Sequence, residues 1–164
     1  MIESHLNLYV NEFFLSCLAL YLSKALTLSE QQQRVGVILA HGYATASSIA
    51  SSVNEMLGQY VFEAIDMPLD TTTDQILVKL KSFIDRYTKI KDLILLVDMG
   101  SLEKIYDHLS HITNFNIAIA NNVSTKFALF VGEGIIKNEP LKQIFDESIG
   151  MLDTNYKITE RKEK

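Results

Sequence analysis

Cysteine is nearly absent. Cys17 stands alone, so neither a disulfide framework nor a cysteine metal site can be built within one chain. Zinc-ribbon and thioredoxin-like readings fall away, and a reducing, cytoplasmic setting is expected. A surplus of positive charge is also missing. The chain has 15 Lys and Arg against 20 Asp and Glu, a formal net charge of −5. Lys89, Lys91, Lys137 and Lys142 are too scattered for a nucleic-acid-binding patch. If this protein influences DNA, another domain touches it. Long uncharged apolar runs are lacking too. Leu6 to Leu28 is the most apolar segment, yet Glu12 and Lys24 leave only Phe13 to Ser23 free of charge, short of the roughly 18 residues a membrane span needs. Glu3 precedes it and no basic stretch does, unlike an export signal.

What is present suits one globular domain with a real core: 164 residues, 48% hydrophobic and 21% charged. Leu6 to Leu28 reads as a buried helix with Val10, Phe13, Phe14, Cys17, Leu18, Tyr21 and Leu22 on a wide apolar face. Such a face needs a partner surface, either the body of the domain or another chain. Three regions are expected: an N-terminal helical connector over 1–33, the main domain over 34–152, and a C-terminal tail over 153–164. Glu160 to Lys164 is all charged and should fray, and both ends read as cuts through a longer polypeptide.

From Val35 two periods alternate. Val35 to Ala40 reads as a strand buried on both faces, followed by the β-rich runs Val61 to Ile65, Leu93 to Val97 and the weaker Ile117 to Ala120. Between them lie helical patterns. Ile49, Ala50, Val53, Met56 and Leu57 share one face, with Gly58 placed to stop that helix. Ile76, Leu77, Leu80, Phe83, Ile84 and Tyr87 follow the cap candidates Asp70 to Thr73. Further helices carry Ile105, Leu109 and Ile112, then Phe127, Val131 and Ile135, and Pro140 opens a last one with Leu141, Ile144, Phe145 and Ile149. Strands alternating with crossover helices predict an α/β fold: an open, mainly parallel sheet of strand order 2-1-3-4, helices on both faces, plus the N-terminal helix.

In that order the crossovers after strands 1 and 3 lie on opposite faces, so the crevice at their carboxyl ends is the switch point where sites form. His41 ends the first strand and Asp98 the third. An imidazole is nucleophilic only when one ring nitrogen is unprotonated and aimed. A carboxylate that accepts from Nδ1–H fixes that tautomer and leaves the Nε2 lone pair exposed. Asp98 is the candidate for this orienting role. A phosphoryl group on the ring would lie near the N-terminus of the following helix, with Gly42 at the turn and hydroxyls from Thr45 and Ser47 at hand.

His41-Gly42 through Met56-Leu57-Gly58, then Ala64-Ile65-Asp66-Met67-Pro68-Leu69-Asp70, then Leu96-Val97-Asp98-Met99-Gly100-Ser101, together resemble the mannose-family EIIA domain of the phosphoenolpyruvate-dependent sugar phosphotransferase system. The nearer likeness is to the EIIA domain inside LevR-type sigma-54-dependent transcriptional activators, and it covers about Val35 to Gly150. The resemblance implies that His41 is the phosphoacceptor, charged by phosphorylated HPr, and that Asp98 hydrogen-bonds it. Transport members follow the strand 3 Asp with Gly-Gly-Ser-Pro. Here Met99-Gly100-Ser101-Leu102 stands instead, with Ser101 as a phosphate-binding candidate. A regulatory member therefore fits better than a transport EIIA passing phosphate to an EIIB. The resemblance further implies a phosphohistidine carrier rather than a turnover catalyst, with no cofactor and no metal, linked to ATPase and regulatory domains of a longer chain. A homodimer without membrane insertion is expected.

Other readings stay open. A two-component receiver would need acidic Mg2+ ligands where this chain has Ala40-His41-Gly42. A flavodoxin-like domain could use Thr45, Ser47 and Ser48 as a phosphate loop, but Met99 stands where an aromatic would stack on the flavin. A tetrapyrrole metal chelatase could also show His-Gly after strand 1, with His108 and His111, three apart, as further ligands. Asp66 and Asp70 are expected to shape the turn around Pro68 and cap the next helix. Tyr43 could line a cleft where a phosphocarrier docks, or pack beside the turn.

Overall fold

A computed structural model of the chain describes residues 11–30, 33–87, 89–99, 105–107, 109, 114–149 and 156–160. Met1–Gln32 and Gln33–Lys164 form two separate compact units. In the first, helix α1 spans Glu12–Glu30. It opens where the Asn11 side chain accepts the Phe14 N–H at 2.7 Å, satisfying one of the donors a helix start leaves free. The sequence predicts a buried helix, but Phe13, Phe14, Leu18, Tyr21 and Leu22 are exposed on it. Glu12, Ser16 and Ser23 recur at helical spacing along one narrow polar stripe, and apolar residues take up most of the remaining circumference. No helix among the described residues is long and apolar enough to cross a membrane.

The second unit is a five-stranded sheet of order β2-β1-β3-β4-β5. Its strands are β1 (Gln33–His41), β2 (Phe62–Met67), β3 (Ile90–Val97), β4 (Asn116–Ala120) and β5 (Tyr156–Thr159). The first four pair in parallel and β5 adds antiparallel to β4. Tyr156–Thr159 falls within the segment assigned above to a tail. It is instead an edge strand, because Tyr-Lys-Ile-Thr alternates with period two and β4 presents an open ladder.

Period-two burial on the strands divides the core. Ile38, Ala40, Ile94, Leu96, Ala118 and Ala120 point to one face. There they meet α2 (Thr45–Leu57), α4 (Thr125–Ile136) and α5 (Leu141–Ile149) through Ala50, Val53, Phe127, Val131, Ile144 and Phe145. Val35, Val37, Leu39, Leu93, Leu95 and Val97 point the other way, onto α3 (Thr73–Ile84) and the helical residues Ile105 and Leu109. Each large side chain buried here contributes roughly 1.5–3 kcal/mol. Burial on both faces is why the strands read as near-continuous apolar runs. The helix after β1 and the helical residues after β3 lie on opposite faces, which makes the carboxyl ends of β1 and β3 the switch point.

Local signals set the boundaries. α2 stops at Gly58, left-handed at φ 63°, a conformation that costs glycine little. The Asn54 side chain accepts from Val61 and Phe62 N–H, both at 2.9 Å, and donates to the Phe62 carbonyl at 2.8 Å. The end of α2 is thereby stapled to the start of β2. Thr72 and Gln75 form a reciprocal capping box at the start of α3.

At the amino-terminal end of the sheet, Arg34 on β1 lies 2.7 Å from Asp92 on β3, with side chains 9% and 1% exposed. Asn116 on β4 donates to the other Asp92 oxygen at 2.7 Å, and the Arg34 guanidinium also donates to the Glu139 carbonyl. One buried ion pair thus ties three strands to the loop between α4 and α5.

Candidate functional site

The site is built at the opposite, carboxyl end. His41 is the last residue of β1 and lies across from Met67, the last residue of β2. Past it the chain must turn at once to reach α2. Gly42 makes that turn at φ 119°, where an L side chain is strained, and a Cβ there would lie 2.5 Å from the Thr45 hydroxyl. The Gly42 N–H donates to the Met67 carbonyl at 2.8 Å.

Asp98 follows β3 and is held beside β1 by its own N–H, which donates to the Leu39 carbonyl at 3.2 Å. From there its carboxylate reaches His41 twice. The His41 backbone N–H donates to Oδ2 at 2.7 Å, and the ring Nδ1 lies 3.1 Å from Oδ1 and 3.2 Å from Oδ2. A carboxylate only accepts, so the proton of a neutral imidazole belongs on Nδ1 and the lone pair on Nε2. His41 and Asp98 are 31% and 22% exposed, sheltered enough to be held and open enough to be reached. The pair can present an oriented nitrogen nucleophile to an electrophile arriving from solvent.

The start of α2 differs from what the sequence suggests. Ala44 occupies the N-cap position and offers no side-chain acceptor. Asp66, next to last in β2, fills the role from across the sheet. It accepts from Ala46 N–H at 2.8 Å, from Ser47 N–H at 3.3 Å and from the Ser47 hydroxyl. Expected to cap the next helix, Asp66 caps the preceding one, while Thr72 does the work at α3. Asp70 is exposed.

Two of the phosphate-binding candidates have their donors engaged. The donors of Ser47 are engaged by Asp66, and the Gly42 N–H is engaged by Met67. Thr45, at the first turn of α2 and exposed, keeps its hydroxyl over Gly42. Ser101 lies outside the described residues, as do His108 and His111. Among the described residues, no three His, Cys, Asp or Glu side chains group closely enough to hold a metal ion. The role of Asp66 leaves one trace in the sequence: Ala44 is a poor cap, so some distant group had to take its place.

Tyr43, Leu69 and Met99 are missed by core-seeking patterns. They stand on the loops after β1, β2 and β3 and are 87%, 91% and 54% exposed.

Residues 36–124 match the EIIA-man family model, described as the PTS system fructose IIA component. Over 101 residues the chain is 35% identical to the transcriptional regulatory protein LevR of Bacillus subtilis, covering 61% of this chain and 11% of that protein. Over 96 residues it is 34% identical to the transcriptional regulatory protein DagR of Salmonella typhimurium, covering 58% of this chain and 10% of that one. The chain therefore spans about a tenth of the length of these two regulators. In fold it is similar to a sigma-54 interaction domain protein from Enterococcus faecalis, with a TM-score of 0.67 at 24% identity, over 73% of this chain and 91% of that chain. His41 and Asp98 both fall inside the residues matched by the family model. The chain belongs to the EIIA-man family of phosphotransferase system components.

Proposed function

We propose that this chain is a phosphoryl-accepting regulatory module in which His41 takes a phosphoryl group from phosphorylated HPr. The observation that carries the reading is the Nδ1 contact of His41 with Asp98 at 3.1 Å, at the switch point of a sheet in an EIIA-man chain. Asp98 orients the ring, the Nε2 lone pair attacks phosphorus, and the bond from phosphorus to the donor breaks with its electron pair kept by the donor. The carboxylate then stabilises the charge the ring acquires. Thr45 is the hydroxyl best placed to meet the phosphoryl oxygens, and Ser101 is a further candidate.

The likeness to LevR and DagR supports a role in transcription control. The module reports phosphotransferase status, in the cytoplasm, to ATPase and regulatory domains linked to it. The exposed apolar side chains of α1 supply surface that a homodimer would bury.

Incubation with phosphoenolpyruvate, enzyme I and HPr, followed by intact-mass measurement, tests the reading. One phosphoryl group is expected on the wild type and none on His41→Ala, with circular dichroism unchanged. An unmodified wild type, or label retained by the variant, would refute it.

A further inference from the structure

Asp66 pairs across the sheet with Ala40, the residue before His41. Its carboxylate crosses to the start of α2, four residues past His41. There it accepts from the Ala46 N–H at 2.8 Å, the Ser47 N–H at 3.3 Å and the Ser47 hydroxyl. A helix start needs an acceptor, and the Ala44 side chain supplies none. A neutral group would meet that need. Thr72 and Ser124 cap α3 and α4 with hydroxyls from the adjoining residue. At α2 the fold instead brings a charge from another strand, and brings it next to the imidazole.

The N-terminus of a helix carries roughly half a positive charge and favours anions. A phosphoryl group carries about −1.5 to −2 charge, so on His41 it would compete with Asp66 for the same donors. Asp66 already holds them and is itself half-buried, and the Gly42 N–H, between the ring and the helix, is engaged by the Met67 carbonyl. A phosphorylated ring therefore meets a helix end whose charge is offset, with a carboxylate beside it. The neutral ring feels little of this, whereas the phosphorylated ring bears the added charge and feels it in full. An interaction that differs between two states shifts the equilibrium between them.

We infer that Asp66 sets the phosphoryl-transfer equilibrium of His41, holding it toward the unphosphorylated side so that the modification stays readily reversible. The inference rests on the phosphoacceptor reading of His41. In the forward step the Nε2 lone pair forms the bond to phosphorus, and HPr keeps the electron pair of the bond that breaks. In the reverse step the two bonds exchange roles, and the Nδ1 proton stays beside Asp98 throughout. Asp66 acts through the end of α2 as a positioning residue. A module that held its phosphoryl group tightly would saturate, whereas one with a weakly stabilised phosphohistidine follows the phosphorylation of its donor.

The experiment measures, on the full chain, the ratio of phosphorylated to free protein at equilibrium with phosphorylated and free HPr. It is approached from both directions and read by intact mass. Asp66→Asn removes the charge and keeps an acceptor, and Asp66→Ala removes both. Each is expected to shift the ratio toward the phosphorylated chain by about three- to tenfold, the size of one charge at a helix terminus. Asp70→Asn alters an exposed acidic residue four positions on and should leave the ratio within about twofold of wild type. A purely structural cap would lower stability and leave the ratio unmoved. A group that only oriented the ring would change forward and reverse rates together, again without moving the ratio.

A ratio unchanged in both Asp66 variants would overturn the inference, as would a shift toward the free chain. So would an equal shift in Asp70→Asn, since any lost negative charge would then have the same effect. A wild type that HPr leaves unlabelled would sink the phosphoacceptor reading itself, and the role of Asp66 with it.

Discussion

The Asp66 carboxylate, on β2, accepts the Ala46 N–H at 2.8 Å and so caps a helix that begins after β1. An internal anion occupies the end of α2 that a phosphoryl group would otherwise favour. Removing it should loosen that end. Asp66→Ala is expected to lower stability by about 1 kcal/mol, the usual cost of a lost N-cap, and Asp66→Asn by less, because its amide oxygen still accepts. Urea denaturation monitored by circular dichroism measures both. Equal stability of the alanine variant and wild type would show that the cap contributes nothing.

Asp98→Asn tests the orienting role separately from the fold. The asparagine oxygen can still accept from the His41 backbone N–H, now 2.7 Å from the carboxylate. Its amide nitrogen then faces Nδ1 and donates, which moves the ring proton to Nε2 and hides the nucleophilic lone pair. Phosphorylation by HPr should slow by roughly 10²-fold or more, in line with tautomer reversal in hydrolase triads, with little loss of stability. A rate equal to wild type in rapid-quench assays would remove Asp98 from the mechanism.

The Arg34 and Asp92 pair is a stability device far from the site. Arg34→Met leaves a carboxylate only 1% exposed that still accepts from Asn116. Breaking a buried pair on one side costs about 3–5 kcal/mol, so a large drop in Tm is expected. Any Arg34→Met protein that remains folded should still be phosphorylated on His41. A variant as stable as wild type would mean that Asp92 is solvated.

Tyr87 links stability to alkaline pH. Burial raises its phenol above the ordinary 10.0, and the charge of Glu63 adds to the rise while Arg86 opposes it. The folded state therefore favours the neutral phenol. Its contribution is fully present below the unfolded value near 10 and is lost as pH rises through the higher folded value. Tyr87→Phe keeps the edge-on contact with Phe83 at 5.1 Å in hydrocarbon form and should flatten the loss of stability above about pH 10. Thermal melts from pH 8 to 11 would show parallel curves for the two proteins if Tyr87 plays no part.

Much of the fold is legible in the residues. Val35 to Ala40 and Leu93 to Val97 read as doubly buried strands because β-branched and apolar residues run without interruption. α3 and α4 read as helices because Ile76, Leu80 and Phe83, or Phe127 and Val131, recur at helical spacing. The crossover rule then sets His41 beside Asp98. Tyr156–Thr159 is less legible, since four residues of alternating pattern form a strand only where an open edge is near. α1 is less legible still. A wide apolar face announces that a partner is needed and says nothing of where it is.

Sequence alone determined the alternation of strands and helices, the His41-Gly42 turn, and the family to which they point, because each rests on periodicity, local backbone preference or a contiguous motif. The tertiary structure decided which donors stay engaged at the site. Asp66 takes Ala46 and Ser47, and Met67 takes the Gly42 N–H. It also decided that Tyr43, Leu69 and Met99 share one edge. Such pairings join residues tens of positions apart, and no local rule encodes them. They follow from strand register and from the requirement that every buried polar group find a partner.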